Sequence, residues 1–343
     1  MVVERKILIP MFNIRIDQDI DFEFDLPEFI KPHTHHYIDP NVSDVTVDKV
    51  RFKISIMKCN FLGGEHSEKL DGIFPTSLVT KDIYCFGHHT AETLLIISVA
   101  EEYPDGDVGH LMAESGNSHY EYELTSSFLL AMKLVDDSEP HFYKGVRSKD
   151  GDPINMESTW PLKEMQGSAM SLTAEKSDQV LSLCNSIWKL ESQDRQSMAY
   201  RIISLSCGYY SLTSTQTEYS VIFMFLMIAF EALFKKSDAE SIGQAKKAFG
   251  KLVADTKKEY SVLSAFMSEN PNEPGCCFYR NAIVHGNEGF NKAMDGVFWQ
   301  LKGYTRVALH RVLELYDSGK LDKHNYYESL YTIVNERFNE LPS

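Results

Sequence analysis

Two periods of hydrophobicity divide the chain. Up to about residue 150, apolar positions alternate with polar ones, the period of strands with one buried face. Lys6-Ile-Leu-Ile-Pro-Met-Phe-Asn-Ile-Arg-Ile16 mixes apolar runs with period two, and Val45 to Ile56 alternates over most of its length. Thr93 to Ala100 is a continuous apolar run, which predicts a central strand. Tyr120 to Val135 reads as a further strand and His141 to Val146 as a short one. Turn clusters such as Gly63-Gly64 and Pro104-Asp-Gly-Asp107 separate them. The pattern predicts an antiparallel β-rich domain over residues 1–150, a sandwich or partly open barrel.

A polar stretch, Arg147-Ser-Lys-Asp-Gly-Asp-Pro153, begins an irregular segment, and residues 151–171 read as a linker. From Leu172 the period becomes helical. Thr173 opens a helix with Val180, Leu181, Cys184, Ile187 and Trp188 on one side. Helices follow at about 194–210, 217–235, 239–253 and 257–268, then at 291–316 and 323–338. The stretch 217–235 is apolar nearly all round, which predicts the centre of a bundle. A short apolar helix begins after the break Pro271-Asn-Glu-Pro-Gly275. The fold class is therefore α+β, with the β-rich domain followed by an all-α bundle over residues 172–343.

Charge sharpens the division. The chain of 343 residues carries a formal −15, is 43% apolar and is 24% charged, an ordinary globular mix. Residues 1–179 hold 16 Lys and Arg against 31 Asp and Glu, whereas residues 180–343 hold 18 of each. The acidic part repels a nucleic-acid backbone, so any RNA contact is expected in the second part. No basic and apolar leader opens the sequence, and the longest apolar run, Val221 to Phe230, is too short to span a bilayer. A cytoplasmic protein with no membrane contact is the expectation. The six cysteines form no CxxC pair and read as reduced thiols. Cys276 and Cys277 are either redox-active at a helix start or buried and inert.

The richest stretch is Phe278-Tyr-Arg-Asn-Ala-Ile-Val-His-Gly286. Asn281 and His285 are four apart and share a helix face, and Arg280 is about 140° round from His285. Gly286 suits the helix end. RNA carries its own nucleophile, the 2′-hydroxyl. Cleavage then needs a proton acceptor, a proton donor and positive charge on the phosphorane. His285 fits proton transfer, Arg280 fits the phosphate, and Asn281 fits an orienting role. One copy supplies one histidine, and two copies across a two-fold axis supply two. The alternative reading is a helix-end histidine and an arginine that satisfies buried carbonyls. Glu231 closes the long apolar run, so its carboxylate is expected to need a cation, and its place in Phe230-Glu-Ala-Leu-Phe234 suggests that it pairs with or orients Arg280; the alternative places it at a solvated helix edge. Tyr279 is the candidate for stacking on an RNA base.

Phe230-Glu-Ala-Leu-Phe234, followed about fifty residues later by this nonapeptide and a long helix, resembles the HEPN superfamily, specifically its ApeA-like domains. The resemblance covers about residues 172–340. It implies a dimerising helical bundle and a metal-independent endoribonuclease with a composite site at the dimer interface. The family's Arg, polar residue and His are matched here by Arg280, Asn281 and His285. It further implies a role in antiphage defence or abortive infection, with single-stranded RNA or tRNA as substrate. The β-rich domain would sense a phage-derived or protein trigger. No cofactor is implied. The alternative is a non-catalytic bundle that dimerises and binds nucleotides or proteins.

Other clusters carry blander readings. His33-Thr-His-His36 and His88-His89 read as surface loops, since no second ligand pair has zinc-site spacing. Asp105-Gly-Asp107 lacks the rest of a calcium loop. No Walker A, dinucleotide-binding or GxSxG motif occurs. Tyr209-Tyr210 and Tyr326-Tyr327 read as packing residues.

Overall fold

The first part is β-rich as expected, but in place of a sandwich or barrel it forms, among the described residues, one main antiparallel sheet and three two-stranded ones. The computed structural model describes residues 2–25, 34–35, 45–46, 49–59, 85–86, 89–103, 119–136, 141–142, 145–149, 152–156, 169–193, 195–213, 216, 218–237, 242–286 and 292–343. Strands β1 (Val2–Phe12), β2 (Ile14–Ile16) and β3 (Ile20–Asp25) come first. The short β4 (Thr34–His35) pairs with β5 (Val45–Thr46), and β6 (Lys49–Lys58) follows. The short β7 (Cys85–Phe86) and β8 (His89–Thr90) pair ahead of β9 (Thr93–Glu102). After a helix come β10 (His141–Phe142), β11 (Gly145–Lys149), β12 (Asp152–Met156) and β13 (Met170–Leu172).

The main sheet is antiparallel, in the order β12-β11-β1-β9-β6-β3, with β10 also on β1. Register places Ile7, Ile97 and Ile54 side by side in β1, β9 and β6, and all three are buried. The apolar run of β9 is buried along nearly its whole length, because it lies inside the sheet and is covered across its face. β6 shows the alternation of a strand with one wet face.

Tyr120 to Val135, expected as a strand, is instead helix α1 (His119–Val135), which packs on β9. Its buried residues Ser127, Ala131 and Leu134, with Phe128 and Met132, repeat at three and four residues. Tyrosine and threonine suggested a strand, but leucine, alanine, methionine and glutamate favour the helix, and the stripe meets a waiting sheet.

β12 and β13 lie inside the stretch expected as a linker. β13 pairs in parallel with β2, and Met170 N donates to Asn13 O at 2.7 Å. The chain divides into two compact units, Met1–Asn185 and Ser186–Ser343. The division falls within helix α2 (Ala174–Gln193).

The second unit is helical. It contains α3 (Met198–Leu212), α4 (Tyr219–Phe234), α5 (Ile242–Val253) and α6 (Lys257–Phe266). Then come α7 (Cys276–Val284), α8 (Lys292–Asp317) and α9 (Tyr326–Glu340). With the sheet ahead of it, this is an α+β protein. α4 buries Phe223, Leu226, Met227, Phe230, Leu233 and Phe234, each contributing about 1.5–3 kcal/mol. Phe230 and Phe234 meet Phe249 of α5 edge-on, with centroids 5.3 and 5.5 Å apart. Polar side chains finish the helix ends. Ser197 and Thr256 cap α3 and α6. Arg311 of α8 donates to Leu252 O and Val253 O, both at 2.6 Å, at the end of α5. Among the described residues no helix is long and apolar enough to cross a membrane.

Candidate functional site

Helix α7 starts where only a glycine fits. A Cβ on Gly275 would lie 2.3 Å from Phe266 O and 2.5 Å from Ser268 N. This close approach fastens α7 to the end of α6, and Phe278 N donates to Ser268 O at 3.2 Å. Cys276 and Cys277 follow and are buried. Burial pushes the Cys277 thiol up to about 12 and the Cys276 thiol well above its ordinary value. Both are therefore neutral, which supports the inert reading and removes them as nucleophiles.

The helix stops at His285. Its backbone N–H donates to Asn281 O at 3.0 Å, Gly286 N donates to Ile283 O at 3.1 Å, and Gly286 turns left-handed with φ +68°. α7 packs between α4 and α8, with Tyr279 and Ala282 turned inward. Asn281, Val284 and His285 face outward.

Glu231 lies in the last turn of α4. That turn is held by α9, where the hydroxyls of Tyr327 and Tyr331 donate to Ala232 O at 2.8 Å and Phe234 O at 2.6 Å. The Glu231 carboxylate meets Arg280: Nε lies 3.2 Å from Glu231 Oε1. This is the pairing expected from the apolar run. The side chains are 30% and 21% exposed, and the Nε–H makes no hydrogen bond among the described residues. Charge, not an aligned donor, holds this pair. Arg280 Nη1 donates to Asn281 Oδ1 at 3.3 Å, which is long for such a bond.

A second ion pair stands in the same neighbourhood. Lys246 of α5 reaches Glu269 Oε1 at 2.7 Å. Beyond burial, the charges acting on the Cys277 thiol are those of Lys246, Glu269, Glu231 and Arg280. The two cations pull the thiol down and the two carboxylates push it up. Lys246 and Glu269 were missed from the sequence. They are 23 residues apart, and nothing local links them.

The structure brings Glu231, Arg280 and Asn281 into one connected row. His285 is exposed, and among the described residues its imidazole makes no hydrogen bond or ion pair. Tyr279 requires a correction. It is 7% exposed and packs edge-on against Phe278 at 5.6 Å, so its ring offers no face to a base. Helix phase decides this, because position 279 falls on the same inward side as Cys276 and Ala282. Val284, 51% exposed, is the residue the sequence reading passed over. Its place in an apolar run hid that it points outward. Tyr210, Tyr326 and Tyr327 are buried, as packing residues should be.

No group of three or more His, Cys, Asp or Glu side chains suited to a metal occurs among the described residues. His33, His36 and His88, with Asp105 and Asp107, lie outside the described residues. Compared with protein-family models, with curated proteins and with solved structures, the chain matches none.

Proposed function

We propose that this chain is a metal-independent endoribonuclease of the HEPN type, cytoplasmic, dimeric and active in antiphage defence. The observation that carries the reading is the end of α7: an exposed His285 on a helix whose Arg280 is held, half-exposed, by Glu231. The exposed Val284 beside His285 is an apolar position on which a second copy can close.

In this mechanism His285 takes the proton of the 2′-hydroxyl, and the 2′-oxygen attacks phosphorus. Arg280 carries the charge that gathers on the phosphorane oxygens. Asn281 orients the ribose. The P–O5′ bond breaks, and the leaving oxygen takes a proton from the His285 of a second copy. The products are a 2′,3′-cyclic phosphate and a 5′-hydroxyl. Single-stranded RNA or tRNA is the substrate, and the acidic β-rich unit takes the part of sensor for a phage-derived or protein trigger.

Incubation with total RNA in EDTA tests this. Cleavage to cyclic-phosphate ends, reduced about 10²- to 10⁴-fold in His285→Ala and in Arg280→Ala, is the expected outcome. Cleavage that survives both substitutions, or that EDTA abolishes, refutes the mechanism. The second reading, a non-catalytic bundle that binds a nucleotide or a protein, is favoured by the pairing of the Arg280 charge with Glu231 within one chain. Tight binding without cleavage, in the presence of the trigger, would select it.

A further inference from the structure

We propose that Glu231 is a latch: it holds Arg280, and a phosphate of the RNA must displace it before the site can act. This regulation rests on the ribonuclease reading above. Arg280 is held on two sides, by the Glu231 carboxylate beside Nε and by Asn281 Oδ1, which accepts from Nη1.

The contacts that park Arg280 are of a kind that an anion can break. The Nε–H is not aimed at the carboxylate, although the pair is only 3.2 Å apart. The bond to Asn281 is long, at 3.3 Å. A phosphate offers two aligned acceptors to the Nη1 and Nη2 edge, which neither Glu231 nor Asn281 does. The turn that carries Glu231 is anchored: its own carbonyl accepts from Lys235 N at 2.9 Å, and α9 holds the carbonyls of Ala232 and Phe234. The strength of the pair sets how much phosphate affinity the site must spend. Without RNA the cluster is electrically closed, since Lys246 is likewise held by Glu269.

Glu231→Gln keeps the shape and removes the charge. Inorganic phosphate and an all-deoxy oligonucleotide, which has no 2′-hydroxyl to attack, serve as binding probes. Both are expected to bind Glu231→Gln about three- to tenfold more tightly than the natural chain, with kcat/KM for RNA rising by a similar factor. The gain must vanish in an Arg280→Ala background, because a latch acts only through Arg280. Weaker binding, lost cleavage or no change overturns the proposal; the first two would make Glu231 a residue that aims Arg280. A gain that persists without Arg280 also overturns it, as mere loss of repulsion. If phosphate binding tightens through Arg280 but neither protein cleaves RNA, the latch holds and the ribonuclease reading fails. Should Glu231→Gln not fold, Glu231→Asp withdraws the carboxylate by one methylene, and the same direction of effect is required.

Discussion

Two arginine–glutamate pairs, one from each unit, have opposite fates. In the β-rich unit, Arg5 of β1 meets Glu101 of β9 with both side chains sealed inside, at 0% and 3% exposure. Tyr103 donates its hydroxyl to the same carboxylate oxygen at 3.0 Å. In the helical unit, Arg280 meets Glu231 with both side chains partly open to water. The chemistry is the same, and access to water separates the roles. A sealed pair cannot exchange partners, because leaving either charge alone in the interior costs several kcal/mol. A half-open pair is worth about 1 kcal/mol and can be traded for a ligand.

The same substitution in the two pairs should expose the difference. Arg5→Met leaves Glu101 buried without its cation and is expected to lower stability by about 3–5 kcal/mol, read by urea unfolding. Arg280→Met should cost no more than about 1 kcal/mol while removing activity. Equal losses in the two variants would erase the distinction.

Alkaline unfolding tests the sealed pair in a second way. Burial first, and then Glu101, push the Tyr103 phenol up to about 12. The folded form holds its proton where the unfolded chain has lost it, so stability is intact below pH 10 and falls as pH rises from 10 toward 12. On the order of 2–3 kcal/mol should be lost across that window. Tyr103→Phe should flatten the loss, and an unchanged slope would place its origin elsewhere, with Cys277, whose thiol is raised from 9, as the first alternative. The smallest effect belongs to the end of α7. Gly286→Ala meets no atom within 4 Å but must hold φ +68°, so about 1 kcal/mol of stability should go, seen as a shift of the urea midpoint.

Much of the fold is legible one segment at a time. β1, β6 and β9 show themselves by alternation or by a continuous apolar run, and each helix of the second unit lies within a few residues of its period. α1 is the exception. Its aromatic and hydroxyl residues favour a strand in isolation, and its inward stripe matters only once a sheet is there to receive it. The site divides in the same way. Asn281 and His285, the glycine that ends their helix and the Glu231 partner all follow from spacing and from an apolar run closed by a carboxylate. Lys246 with Glu269 does not, because no local rule joins α5 to the segment after α6. The fate of Tyr279 was equally hidden, since one position of helix phase decides between a free ring and a packed one.

By itself the sequence determined the two periods, the split of charge between an acidic part and a neutral part, and the nonapeptide with its glycine stop. Those are properties of neighbours along the chain, fixed by backbone geometry and composition. Only the tertiary structure decided which charges are sealed and which stay open, and that Glu231 of α4 meets Arg280 of α7. Burial and the distance between charges depend on which distant segments meet, and they set whether an arginine–glutamate pair is sealed or open to water.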